Sequence, residues 1–145
     1  MLRMLRVLHP ALIHFPLALL LTGIGLTALH LRRPDPFIER SAYGALMLGW
    51  WGTVIGIVTG LIAAAVQWPF SATVLGWINW HAVTGFALLL SAGHAVLLRK
   101  RNPDLLQQPA RRTYVLLLAI TALLVIVTGW LGGELVYDLK VGPLH

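Results

Sequence analysis

The sequence predicts an all-α integral membrane protein, a four-transmembrane-helix bundle formed by one domain over residues 1–145. Of the 145 residues, 58% are hydrophobic and 11% are charged, whereas a soluble domain carries about a quarter charged residues. Mean hydropathy is +0.80. Four apolar runs, each long enough to cross about 30 Å of hydrocarbon, are separated by short polar or basic segments.

The four runs give the predicted membrane spans, which are 10–31, 43–66, 73–98 and 114–135 in chain order. The first follows Arg3 and Arg6, as a signal peptide would, but it ends in a basic segment with no small-residue cleavage pattern. We therefore expect a retained helix. Pro10 suits the first turn of that helix, and Pro16 predicts a local kink.

Glycines recur along the second predicted span, at Gly49, Gly52, Gly56 and Gly60. Such spacing places a smooth strip on one face of a helix. Close packing against a neighbouring helix is the favoured interpretation. Clearance for a flat cofactor against the backbone is the alternative.

The distribution of Lys and Arg predicts the orientation of the bundle. Eight of these residues lie in the two connections between spans one and two and between spans three and four, and three lie on the opposite side. Both termini are thus expected on the periplasmic side of a bacterial inner membrane, as a multi-pass protein. The net charge of +6 fits this pattern, so we predict lipid contact and no binding of nucleic acid.

The chain contains no cysteine. Disulfides, thiolate metal sites, iron–sulfur clusters and covalent haem attachment are therefore excluded within it. A haem would have to be held non-covalently.

Histidines inside the spans are the candidate functional residues, because an imidazole in hydrocarbon costs free energy unless it has a partner. Spans one and three run in the same direction. His14 and His81 each precede the midpoint of their span by similar numbers of residues, so both should lie roughly 9 Å from the bilayer centre. His30 and His94 follow their midpoints and form a second, less closely matched pair. Neutral imidazole is a common axial ligand of haem iron.

The angular positions favour one haem over two. His81 and His94 lie roughly 140° apart around a straight helix, and His14 and His30 roughly 160° apart. A single haem between His14 and His81 avoids this difficulty. His30 and His94 would then be an interfacial and a packed histidine.

A second kind of site remains open at the periplasmic side. His9, Glu134 and the His14–His81 pair belong to the same half of the bundle, and two or three imidazoles with one carboxylate suit zinc or copper. A proton-relay or transport site would use the same groups. At His9, structural hydrogen bonding between helices is the simpler interpretation. At Glu134, near the end of its span, a carboxylate has only a small free-energy cost of insertion.

Two end motifs, His9-Pro10-Ala11-Leu12-Ile13-His14-Phe15-Pro16 and Gly132-Gly133-Glu134-Leu135-Val136-Tyr137, resemble those of a family of small bacterial four-helix membrane proteins of unknown function. The likeness spans almost the whole chain. Its shared positions map to His9, His14, His81 and Glu134. Relatives fused to Rieske-type iron–sulfur domains imply a redox setting. The helix layout is also similar to that of superoxide-oxidising dihaem cytochromes b, by analogy alone.

These observations predict a b-type cytochrome-like electron carrier, not a bond-making enzyme. It would hold one or two b haems, with His14 and His81 as first candidates and His30 and His94 as second. Quinone and a Rieske-type or other redox membrane subunit are the candidate partners. The alternatives are a cofactor-free accessory subunit of a larger membrane complex and a periplasmic-side zinc or copper site.

Overall fold

The computed structural model describes residues 2–141, with side chains from residue 8 onward. Four long helices form an antiparallel bundle, and this part of the chain contains no strand. The helices are α1 (Leu2–Arg32), α2 (Pro36–Gln67), α3 (Ala72–Arg101) and α4 (Arg111–Tyr137), with a 3₁₀ turn at Leu105–Gln107. All four are long and apolar enough to cross a membrane. The predicted fold class is confirmed.

The second helix begins earlier than its apolar run, at Pro36 and not at Tyr43. Asp35 is its N-cap, and the carboxylate accepts hydrogen bonds from the backbone N–H of Phe37 (2.7 Å) and of Ile38 (3.4 Å). Proline suits the first helical position because its missing N–H would have no partner there. Asp35 and Pro36 therefore determine where α2 begins.

The glycine strip of α2 is the surface against which α1 packs. A Cβ added at Gly49 would lie 2.8 Å from Leu20, and one added at Gly56 would lie 2.6 Å from Ile13. Gly23 of α1 extends the close approach on the other side of the interface. Close helix packing, the favoured interpretation of the strip, is confirmed at these positions.

The two ends of the bundle differ in how they are built. The terminal end holds the start of α1, the end of α4 and the α2–α3 turn at 68–71, while the basic end holds the connections 33–35 and 102–110. The buried cluster lies from the middle toward the basic end, and includes Leu46, Ala95 and Tyr114. Toward the terminal end, the helices instead surround a cavity that is partly open to the surface.

An ion pair closes the basic end. Arg99 of α3 donates to the Glu39 carboxylate of α2 and to the backbone carbonyls of Asn102 and Pro103. His30 of α1 lies beside it, with Nε2 3.9 Å from the second oxygen of Glu39. The group links α1, α2 and α3 at one level.

Candidate functional site

Two histidines from non-adjacent positions in the bundle meet at the terminal end. The ring centres of His9 in α1 and His81 in α3 are 6.2 Å apart, and the ring planes are 80° to one another. Both residues are half-buried. Among the histidines that the structure describes, these two are the pair whose rings lie close together.

His81 is held by α4. Its Nδ1 lies 3.1 Å from the backbone carbonyl of Thr128. A carbonyl oxygen only accepts, so Nδ1 carries the proton and donates it. In the neutral ring, Nε2 then has an available lone pair.

His9 is held by α2 in the same way. Its Nδ1 lies 3.2 Å from the hydroxyl of Thr59. The Thr59 hydroxyl has one hydrogen and also lies 3.0 Å from the backbone carbonyls of Ile55 and of Gly56. When that hydrogen is donated to a carbonyl, Thr59 Oγ1 accepts from the Nδ1–H of His9, and Nε2 of the neutral His9 ring is unprotonated, as it is in His81.

Glycines make room for the two rings. A Cβ built at Gly60 would lie 3.0 Å from Cε1 of His9, and one at Gly132 would lie 3.1 Å from Cε1 of His81. These contacts are tighter than nearly all real Cβ contacts. A side chain at either position would push the imidazole away from its present place.

The cavity beside the rings is apolar and is lined by all four helices. It follows α2 from Thr53 to Gln67, a length of about 21 Å by helix rise. Its volume is ≈ 170 Å³, and it reaches the surface of the bundle at the exposed side chains of Leu61 and Phe86. The hydroxyl of Thr128 is buried at its wall and has no hydrogen-bond partner within the described part of the chain. An unpaired buried hydroxyl costs free energy, so a polar atom in the cavity would satisfy it.

The other candidate residues lie elsewhere. His14 is exposed on α1 and does not line the cavity that His81 lines. His94 is exposed on α3. His30 is at the basic end, where its Nδ1 lies 3.0 Å from the Asp35 carbonyl. The predicted ligand pairs His14–His81 and His30–His94 are therefore not brought together.

The difference at His14 has a geometric cause. The face of α1 that packs on α2 is fixed by the glycine strip, and it carries His9 opposite Gly60 and Ile13 opposite Gly56. One residue further turns His14 by roughly 100° away from that face. The depth of a residue in the membrane does not depend on this rotation. Matching His14 to His81 by depth therefore missed His9, which is the histidine of α1 that faces the interior.

Glu134 is half-buried near the end of α4 and is not among the residues that line the cavity. No group of three or more His, Asp or Glu side chains suited to a metal ion occurs in the described part of the chain. The predicted combination of His9 and Glu134 with the other imidazoles is therefore not assembled there. Thr59 and Thr128, whose oxygens lie within hydrogen-bond distance of the two imidazoles, are the candidate site residues that the sequence did not indicate.

The fold and the site together define a multi-pass membrane protein of four helices with a paired-histidine cavity near one end. The chain matches the family model described as "Predicted membrane protein (DUF2231)" over residues 6–144, and it belongs to that family. No curated protein and no solved structure matches it.

Proposed function

We propose that this protein is an electron carrier of the bacterial inner membrane that holds one b-type haem between His9 and His81. The observation that carries the proposal is the pair of imidazoles with ring centres 6.2 Å apart, each of which lies within hydrogen-bond distance of an oxygen of a neighbouring helix through Nδ1. Neutral imidazole is a common ligand of haem iron, and His9 and His81 would be the two residues that hold the iron.

The surroundings of the rings also suit axial ligands. A metal-binding histidine usually donates its other ring N–H to an oxygen, which fixes the tautomer and the ring orientation. The Thr59 hydroxyl oxygen is the corresponding partner of His9, and the Thr128 carbonyl oxygen is that of His81. The lining is mostly apolar, and the unpaired Thr128 hydroxyl is available to a polar edge of the ligand. When bound, a haem would supply one-electron exchange at its iron.

The size of the cavity sets a condition on this proposal. The cavity volume of ≈ 170 Å³ is less than the roughly 300–1,000 Å³ of most ligand pockets. A tetrapyrrole therefore requires the space between the helices to widen toward the lipid. The length of the cavity along α2 is sufficient, and glycines border it at Gly56, Gly60 and Gly132.

Quinone and a Rieske-type redox subunit are the proposed electron partners. Both follow from the redox setting of the resembling proteins and from the membrane location of the site.

His14→Ala is a matched control for the ligand assignment, because His14 lies on the same helix as His9 but is exposed.

The test is the visible spectrum of the full chain, purified in detergent and loaded with haem. We expect an intense Soret band and a sharp α band after reduction. Each of His9→Ala and His81→Ala should lose this spectrum, while His14→Ala should keep it. Circular dichroism of each variant reports whether it is folded. A folded wild-type protein that stays colourless after haem addition would overturn the proposal.

A cofactor-free accessory subunit is the second candidate, and one observation favours it. A hydrogen bond of His9 links α1 to α2, and a hydrogen bond of His81 links α3 to α4. Both histidines therefore connect neighbouring helices without any ligand. This role predicts that His9→Ala and His81→Ala lower stability in a protein that has no visible spectrum. Elemental analysis of the same sample tests the zinc or copper alternative.

A further inference from the structure

The cavity opens at the side of the bundle, between α2 and α3. Of the residues that line it, Leu61 of α2 and Phe86 of α3 are the two that are exposed. By helix periodicity, Leu61 lies about 20° around α2 from Trp50. Phe86 lies about 20° around α3 from Gly93, on which Trp50 packs, so both side chains are on the facing sides of the two helices. Both also lie inside the apolar runs of their helices, so the opening faces the hydrocarbon of the membrane.

The volume of the cavity corresponds to one small ring. It measures ≈ 170 Å³, and an apolar cavity of about 150 Å³ takes up one benzene molecule. Its lining is mostly apolar. A six-membered ring therefore fits the cavity as it stands, and an apolar tail on that ring can pass between Leu61 and Phe86 into the lipid. Haem would require further space beside it.

One polar group in the wall of the cavity has no partner. Thr128 is 5% exposed, and its hydroxyl makes no hydrogen bond within the described part of the chain. Other threonines of the bundle donate to the carbonyl four residues earlier, namely Thr27, Thr53, Thr59, Thr84 and Thr121. A buried hydroxyl without a hydrogen bond costs free energy. An oxygen on the bound ring would therefore complete the site.

We infer that the cavity binds the ring of a lipid-dissolved quinone or quinol. A ring oxygen is hydrogen-bonded to the Thr128 hydroxyl, and the apolar tail leaves between Leu61 and Phe86. The oxygen of the quinone accepts from Thr128, and the O–H of the quinol donates to it, because a hydroxyl can do both. The inference deepens the proposed function and rests on it for the choice of a quinone among oxygenated rings. The site itself does not depend on haem.

A matched pair of variants separates a ligand contact from a structural contact. Thr128→Val and Thr121→Val make the same change at two buried positions of α4. Thr121 does not line the cavity, and its hydroxyl lies 2.8 Å from the Ser91 hydroxyl and 2.8 Å from the Leu117 carbonyl. Thr121→Val should therefore lose stability and keep the ligand. Thr128→Val should unfold no more readily than the wild type, but it should bind the ligand less well.

Binding is measured by photolabelling of the full chain in lipid nanodiscs without added haem. The probe is a short-tailed benzoquinone with a diazirine on the tail carbon next to the ring, and peptide mass spectrometry locates the label. We expect label at Leu61 and Phe86, and an excess of the same quinone without the diazirine should remove it. The probe concentration for half-maximal labelling should rise roughly 2–10-fold in Thr128→Val. It should stay unchanged in Thr121→Val.

The outcomes separate this inference from the proposed function. Equal half-maximal concentrations for Thr128→Val and the wild type, or label that excess quinone does not remove, would overturn the quinone site. Specific labelling of a protein that stays colourless after haem addition would support the quinone site and overturn haem as a ligand. A haem spectrum in a protein that takes up no specific label would support the haem proposal and overturn the quinone site.

Discussion

Replacing Gly23 by alanine should destabilise the bundle, whereas the same change at Gly25 should not. Gly23 is buried, and a Cβ there would lie 2.9 Å from the carbonyl oxygen of Ala42 and 2.9 Å from the backbone N of Leu46. Backbone atoms cannot rotate away, so α1 and α2 must separate. Gly25 is exposed, and nothing lies within 4 Å of its added Cβ.

The expected magnitude follows from comparing the two variants. Both gain the higher helix propensity of alanine, worth about 0.5–1 kcal/mol, so this contribution cancels in the difference. What remains is the cost of forcing a methyl group into a packed interface, about 1–3 kcal/mol. Gly23→Ala should therefore unfold more readily than Gly25→Ala by that amount.

The assay is reversible unfolding of the purified chain by sodium dodecyl sulfate in mixed micelles, followed by tryptophan fluorescence and far-ultraviolet circular dichroism. The midpoint of Gly23→Ala should move to lower denaturant, and that of Gly25→Ala should stay at or above the wild-type value. Equal midpoints for the two variants would show that the α1 and α2 backbones do not approach as closely as described here. The close packing of the glycine strip would then be refuted.

Two further changes test the site and the basic end. Thr59→Val removes the acceptor of the His9 Nδ1–H and should weaken haem binding about 10–100-fold, while Thr59→Ser should bind haem as the wild type does. Haem titration measures both affinities. Equal affinities of Thr59→Val and Thr59→Ser would show that the hydroxyl does not orient His9. Glu39→Gln leaves the Arg99 side chain, which is 11% exposed, without its carboxylate partner. The free energy of unfolding should fall by about 1–3 kcal/mol in the same assay. An unchanged free energy of unfolding would show that the pair is a surface contact.

The fold was predictable because its determinants are local or compositional. Length of apolar run and the positions of basic residues specify four spans without reference to any contact. The helix start at Pro36 was missed because the apolar pattern begins only at Tyr43. Asp35 and Pro36 form a capping signal that is independent of hydrophobicity.

The site was predictable in part. His81 and its half of the bundle were identified from the cost of an imidazole in lipid, and the structure places His81 at the cavity. The choice between His9 and His14 depends on the rotation of α1 about its axis. That rotation is set by tertiary contacts, Leu20 on Gly49 and Ile13 on Gly56, which no property of the first span alone reveals.

The same contacts tie the site to the stability of the fold. The α1–α2 interface runs without a break from Leu20 on Gly49, through Ile13 on Gly56, to His9 on Gly60. Among the described side chains, His9 is therefore the last member of a packing row whose other members are hydrocarbon. Gly60→Ala would add a methyl group 3.0 Å from the His9 ring, where the row borders the cavity. Because the cavity gives the ring space to move, the change should disturb the geometry of the imidazole pair more than it disturbs the fold.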